Sequence, residues 1–535
     1  MTDRVRASRR GLAKKLSQCI GLASLILVVN YGELLGGGAD VRMHVPYSLT
    51  GICLAHIFDI LLLGLALFAV LAGAARTRFY SWVRLLVAVL APPYLLERTR
   101  TVLPLGLTDG VILIFGVVWA ALLLLLLLRF PIWYRRVIRL GDAAGIFLAA
   151  FAVCSIVQLL WVLRWKPGRQ QIRPAWSAST QPPRAHPRVV WIVFDELSYD
   201  QIFQHRAHDL ALPNFDALRA QSTLYTNMQP IGLKTVKILP SLLSGSAVSD
   251  FRYTFANTLK VHYQNVPGWH VLDGNGTVFH DAQRAGWRTA VVGWYNPYCT
   301  IYANALDSCY WINLDRTEGD MAQRDSLWRN TVRPLQDLGV QLVSPELADR
   351  RSCDFDVKQR LQTHLSLQQH AAEVLKQDQA DFIFFHFSIP HSPNIWSRVN
   401  DQYARGCGSS YLDNLALSDR TLGNLMTMLQ QSPRWKDTTV IVQGDHSWRI
   451  MLWDWLPAWT DEDDQASRGE FDPRPALLIH TAGQTEPQTD ARARSLLFVH
   501  EALEQVLHGN TQQVTQQQAQ FARPARVASA GASSR

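Results

Sequence analysis

The sequence lacks the interleaved basic and aromatic stripe of a nucleic-acid binder, so its formal net charge of +8 needs another origin. It has no internal repeats, which excludes a repeat architecture. No convincing small-residue cleavage site follows the first apolar run, which argues against a signal peptide despite the basic residues ahead of it. Cysteine is scarce, with 7 in 535 residues, and Cys19, Cys53 and Cys154 fall in apolar runs. The chain is too long for one ordinary domain. Its 48% hydrophobic content is unevenly spread, and long apolar runs crowd the first 165 residues.

Those runs predict an α-helical membrane domain over residues 1–165, with five spans near 14–36, 51–74, 80–97, 108–128 and 143–164. The fourth is the clearest, with consecutive leucines after Ala120 and Ala121; the third is short and carries Arg84, Pro92 and Pro93. Arg4, Arg6, Arg9, Arg10, Lys14 and Lys15 precede the first span. Arg76, Arg78 and Arg84 lie around the second gap, and Arg129, Arg135, Arg136 and Arg139 around the fourth. The alternate gaps are poorer, with Arg42 in one and Arg98 and Arg100 in the other. By the positive-inside rule the N-terminus is cytoplasmic, and an odd number of spans puts the C-terminal domain outside. Without the third span, parity reverses. His56 and Asp59 inside the second span are candidates for function, such as holding a lipid head group, or for a bland place near an interface.

Residues 166–187, rich in Pro, Gln, Ser and Arg, read as a linker. A globular domain is expected over 188–509 and a disordered tail over 510–535. Apolar strand patterns at 189–194, 289–292, 382–387, 438–444 and 475–479 alternate with helical patterns near 360–377 and 413–431. The alternation predicts an α/β domain with a largely parallel central sheet. Its four cysteines are an even set that fits two disulfides in an oxidising compartment. Proximity pairs Cys299 with Cys309 and Cys353 with Cys407; four unpaired buried thiols are the other reading.

The most informative stretch is Val189 to Glu196, a buried strand ending in two carboxylates, Asp195 and Glu196. A second strand runs into Asp445 and His446. Ligands bind outside the carboxyl ends of such strands. Acids there need a compensating cation, so the two strand ends predict one metal site. Between them lies Lys234 to Gly245, where a helix is expected to start near Pro240. Thr235, Ser241 and Ser244 are the hydroxyls that a metal ion could turn into a nucleophile; each is also an ordinary cap or turn residue. His391, after the strand ending near Phe387, is a candidate oxyanion partner or a structural histidine.

Together these four elements resemble the alkaline phosphatase and sulfatase superfamily. Asp195 and Glu196 match its first acidic ligands, Pro240 to Gly245 its nucleophile loop, His386 to Pro393 its His-Pro strand end, and Asp445-His446 its closing pair. Formylglycine sulfatases carry Cys or Ser two residues before the Pro, where this chain has Ile238. Lipid A phosphoethanolamine transferases carry a nucleophilic Thr five residues before it, and Thr235 matches. They and the lipoteichoic acid synthases also resemble the whole plan of five spans, linker and extracytoplasmic catalytic domain. They usually continue Asp-His with Gly, where Ser447 stands here.

The resemblance implies a membrane-anchored transferase. Asp195, Glu196, Thr235, Asp445 and His446 hold one divalent ion, and Thr235 attacks a phospholipid head group of phosphoethanolamine or phosphoglycerol type. An envelope glycan or lipid then accepts the group, while His391, Lys234 and Arg449 steady the phosphoryl charge. The mixed donors suit zinc or manganese better than calcium or magnesium. Two other readings stand: a phosphate or sulfate ester hydrolase of the same fold, and an inactive binding protein, against which the full ligand set argues.

Overall fold

The computed structural model describes residues 2–28, 31–32, 34, 43–44, 48–75, 80–102, 109–173, 187–254, 258–313, 327–456 and 458–508. The expected tail and residues 174–186 of the expected linker lie outside them, as do Arg42, Arg76 and Arg78. The chain forms two compact units, Met1–Gly168 with Leu314–Ser352, and Arg169–Asn313 with Cys353–Arg535.

The first unit is helical: Thr2–Ile26, Thr50–Ala74, Tyr80–Val102, Asp109–Arg129, Pro131–Val162 and Leu327–Val343. Among the described residues two stretches, Thr50–Ala74 and Gly110–Arg129, are long and apolar enough to cross a membrane. The apolar parts of the third and fifth expected spans are shorter, Leu85–Leu96 and Phe147–Val162. Tyr80–Val102 carries Pro92 and Pro93 in its interior. The basic stretch expected as a loop around Arg135 to Arg139 is instead helical and runs on into the fifth apolar stretch. Leu27, Tyr31, Ile52, Ile60, Leu159 and Trp165 form a buried core, against which Leu335 and Leu338 pack. Leu327–Val343, drawn from the middle of the sequence, thus shares the core of the N-terminal helices. His56 and Asp59 are fully buried there, and no atom of either side chain has a hydrogen-bond partner.

The second unit is α/β. Its sheet strands are β1 (Gln171–Ile172), β2 (Arg188–Asp195), β3 (Thr223–Tyr225), β4 (Thr289–Trp294), β5 (Ser308–Ile312), β6 (Phe382–Pro390), β7 (Thr438–Gly444), β8 (Leu477–His480) and β9 (Gln488–Asp490). They lie in the order β1-β5-β4-β6-β2-β7-β8-β3-β9. The central run β5-β4-β6-β2-β7 is parallel. β1 and β8 pair antiparallel with their neighbours β5 and β7. Every residue of β2, β4, β6 and β7 is buried, as expected for strands covered on both faces. The expected strand at 475–479 forms as β8 but runs against the parallel core. β1 falls within the segment read as linker.

Register does the placing. Gly444 of β7 pairs with Phe194 of β2, so the next residues, Asp445 and Asp195, emerge side by side at the carboxyl end of the sheet. His386 of β6 pairs with Val193, two residues before Asp195, and so shares its sheet face. The helix Tyr411–Gln431 is fixed by a capping box between Ser410 and Asp413. Both disulfides take the pairing that proximity suggests, Cys299–Cys309 and Cys353–Cys407, with Cα atoms 5.5 and 6.0 Å apart.

Candidate active site

The expected start of a helix near Pro240 is corrected: the helix is Thr235–Ser244, with Lys234 as its extended N-cap and Pro240 in its interior. Thr235 is therefore the first helical residue, where backbone N–H groups lack intrahelical partners and favour an anion. Ser241 and Ser244 do not reach the strand ends. Their hydroxyls donate to the carbonyls of Lys237 (2.6 Å) and Pro240 (2.8 Å), one turn back in their own helix.

Thr235 Oγ1 donates to Asp445 Oδ2 at 2.8 Å and stands 3.2 Å from Asp195 Oδ2 and 3.3 Å from His446 Nε2. His446 Nε2 lies 3.3 Å from Asp445 Oδ2 and 3.6 Å from Asp195 Oδ1. Ligand atoms of Asp195, Asp445 and His446 all fall within 4.8 Å of one another, and all three residues are fully buried. The carbonyl of Ser447 lies 3.0 Å from His446 Nδ1 and can only accept, so the ring carries its proton there and turns the Nε2 lone pair to the carboxylates.

Two carboxylates so close cannot both ionise cheaply. Burial, then the charge of Asp195, pushes the Asp445 carboxyl up. Burial pushes Asp195 up too, but the positive charge around it, that of Arg449 included, outweighs burial and holds Asp195 below the usual carboxylate range. Asp195 Oδ1 is buried without a hydrogen-bond partner. A cation among these atoms would satisfy that oxygen and let both acids ionise, so the residues present fit a divalent ion.

Glu196 is not part of this cluster. Its backbone is left-handed, φ 67°, which points its N–H at Asp445 Oδ1 (3.2 Å) and sends its side chain elsewhere. The carboxylate accepts from Arg449 Nε at 2.7 Å and from Trp453 Nε1 at 3.0 Å. Glu196, expected as a ligand of the ion, thus turns its oxygens to Arg449 and Trp453 and lies outside the cluster of Asp195, Asp445 and His446. Arg449, expected at substrate, is buried and also donates to the carbonyl of Leu233 at 3.0 Å, two residues before Thr235. It ties the nucleophile loop to the end of β2. Lys234 is exposed.

His391 sits beyond the bulged end of β6, and its backbone N–H donates to the Asp195 carbonyl at 3.1 Å. Its ring packs edge-on between Trp294 and Trp453, with centroids 5.4 and 5.0 Å away. Sequence reasoning missed Arg360, which is 1% exposed. Its guanidinium donates to the carbonyls of Ser388 and Ser392, both at 2.8 Å, bracketing His391, and lies 4.4 Å from the Trp294 ring centre. Nothing local marked it, since Arg360 lies in the helix Pro345–Gln377 and reads as an ordinary surface charge.

A parallel sheet whose strand ends bring Asp195, Asp445, His446 and a helix-opening Thr235 together makes a buried donor cluster that could hold a metal ion beside a hydroxyl. The chain belongs to the sulfatase family, whose sequence model matches residues 187–509, and is an enzyme of the alkaline phosphatase and sulfatase superfamily. No curated protein sequence matches it. Solved structures that it resembles include the phosphonate monoester hydrolase of Agrobacterium radiobacter, at 16% identity and TM-score 0.39, covering 61% of this chain and 74% of that one. A protein of the alkaline phosphatase superfamily from Vibrio parahaemolyticus aligns at 15% identity and TM-score 0.35, covering 64% and 69%. A sulfatase from Pseudoalteromonas sp. aligns at 12% and 0.37, covering 60% and 68%. Enzymes of the superfamily are metal-dependent, in keeping with the buried donor triad.

Proposed function

We propose that this enzyme moves a phospholipid head group, of phosphoethanolamine or phosphoglycerol type, through a Thr235-linked intermediate to an envelope glycan or lipid. One observation carries the reading: the Thr235 hydroxyl lies 2.8 to 3.3 Å from both buried aspartates and His446, and it opens a helix. A sulfatase that works through formylglycine has its modifiable residue where Ile238 stands, and Ile238 offers none.

Asp195, Asp445, His446 and Thr235 would hold a divalent ion, zinc or manganese by the mix of nitrogen and oxygen donors. Such an ion lowers the pKa of a hydroxyl and neutralises phosphoryl charge. Asp445 takes the Thr235 proton along the 2.8 Å hydrogen bond. Thr235 Oγ1 bonds to phosphorus, the phosphorus–oxygen bond to diacylglycerol breaks, and diacylglycerol leaves as an alcohol after taking up a proton. The acceptor hydroxyl then bonds to phosphorus, releases its proton, and the bond to Thr235 breaks. His391 would steady the phosphoryl charge, and Lys234, exposed beside Thr235, would supply a second positive charge. Arg449 acts through the Leu233 carbonyl, holding Thr235 in place.

The membrane side of the proposal has two supports. Basic residues flank alternate apolar stretches, which supports reading residues 1–165 as five spans in the plasma membrane with the N-terminus inside. The two disulfides suit an extracytoplasmic catalytic domain. Residues 166–187 then serve as the linker to residues 188–509. A lipid donor explains why such a domain stays at a bilayer. The test is head-group transfer by the purified full chain from liposomes of phosphatidylethanolamine or phosphatidylglycerol. Diacylglycerol release that needs an added glycan or lipid acceptor supports transfer. Release with water alone, yielding the free phosphorylated head group, replaces it with hydrolysis.

A further inference from the structure

Resting on the metal reading above, we infer that His386 is a further ligand of the ion, through Nε2. With Glu196 turned away to Arg449, the second of the two carboxylates expected from this strand end is missing from the donor set. His386 stands on the same sheet face as Asp195, fixed by its pairing with Val193. Its ring is fully buried, and its Nδ1 lies 2.9 Å from the carbonyl of Trp294 and 2.9 Å from Tyr298 Oη. A carbonyl only accepts, so Nδ1 carries the proton, and in the neutral ring the Nε2 lone pair is bare. That lone pair has no hydrogen-bond partner and faces Asp195 Oδ2 at 3.8 Å.

A lone pair aimed at a buried carboxylate is repulsive unless something positive lies between them. The gap is too long for a hydrogen bond. It is within a few tenths of an ångström of the spacing of two ligands of one ion: donors about 2.0–2.2 Å from the centre sit roughly 3.3 Å apart in a tetrahedral site and roughly 3.6 Å apart across a 120° angle of a five-coordinate one. An Nδ1–H held by a backbone carbonyl is how metal-ligating histidines are generally oriented. Tyr298, fully buried, backs the ring. His386 approaches from the Asp195 side and is not one of the three residues whose donor atoms all lie within 4.8 Å of one another. The structure thus assigns two imidazoles, His446 and His386, to one centre, and a set with two nitrogen donors favours zinc over calcium or magnesium.

X-ray absorption at the zinc edge counts imidazole ligands directly. The full chain, stripped with chelator and reloaded with one equivalent of zinc in detergent, should show two imidazoles. His386→Asn keeps a donor for the Trp294 carbonyl but has no nitrogen at the Nε2 position. It should show one imidazole and bind zinc at least about 100-fold more weakly, beyond the 10–100-fold loss typical of a residue that only orients a ligand. One imidazole in the unaltered protein, or two in the variant, overturns the assignment while leaving the metal reading intact. An unaltered protein that takes up no zinc or manganese overturns both. The count on the unaltered protein decides the matter even if the variant does not fold.

Discussion

Arg449→Ala should cost more stability than its place near an active site suggests. Glu196 is fully buried, and its carboxylate has two donors, Arg449 Nε at 2.7 Å and Trp453 Nε1 at 3.0 Å. Removing Arg449 leaves a buried charge with one neutral partner, a defect of about 3–5 kcal/mol. Glu196→Gln leaves Arg449 with the Leu233 carbonyl and an amide, a smaller loss of about 1.5–3 kcal/mol. For a unit of this size about 2 °C of melting temperature goes with each kcal/mol, so the two variants should melt roughly 6–10 °C and 3–6 °C below the parent. Differential scanning calorimetry of the full chain in detergent, with bound metal measured by mass spectrometry, provides the assay. Both folded variants should keep the ion, because Glu196 lies outside the donor set. The double variant should be less destabilised than the sum of the two, because each change removes the other's cost. A Glu196→Gln protein that melts with the parent but loses its ion would refute the reasoning and make Glu196 a ligand.

Thr235→Ala should abolish head-group release and keep a melting temperature near the parent's, with the ion held more weakly by Asp195, Asp445 and His446, whereas Thr235→Ser should retain measurable turnover; full turnover by the alanine variant removes Thr235 as nucleophile. Burial pushes the Asp490 carboxyl up, but Arg492, backbone and Arg494 hydrogen bonds outweigh it and hold it at about 2. Because that pKa is depressed, its stabilisation is present above the ordinary Asp range and is lost as pH falls towards 2. The melting-temperature gap between the parent and Asp490→Asn should therefore be full at pH 6 and shrink below pH 4; a gap that does not change would contradict this. A C-terminal phosphatase fusion should be active in intact cells, and activity only for a cytoplasmic reporter would break the five-span topology.

How far the sequence revealed the site follows from what is local and what is not. The strands ending at Asp195 and Asp445 were legible because strands buried on both faces show as apolar runs, and their polar ends stand out. Thr235 needed the family pattern, since spacing alone left it level with Ser241 and Ser244. The fate of Glu196 was hidden: its left-handed backbone and its partner Arg449, 253 positions away, belong to tertiary structure. His386 shares its His-Pro strand end with His391, and nothing local in the sequence ranks one above the other. Its pairing with Val193 puts it on the face of Asp195, a parity that strand counting could have exposed. Leu327–Val343 was missed because an amphipathic helix inside a long globular segment gives no sign of which core it joins.

The most direct measurement is mass spectrometry of the Thr235 peptide after the metal-loaded full chain has met a phospholipid donor without acceptor. The account predicts a phosphorylated head group esterified to Thr235, absent when the ion is chelated first and discharged when acceptor is added. Turnover of the donor with Thr235 unmodified, in rapidly acid-quenched samples, would contradict it.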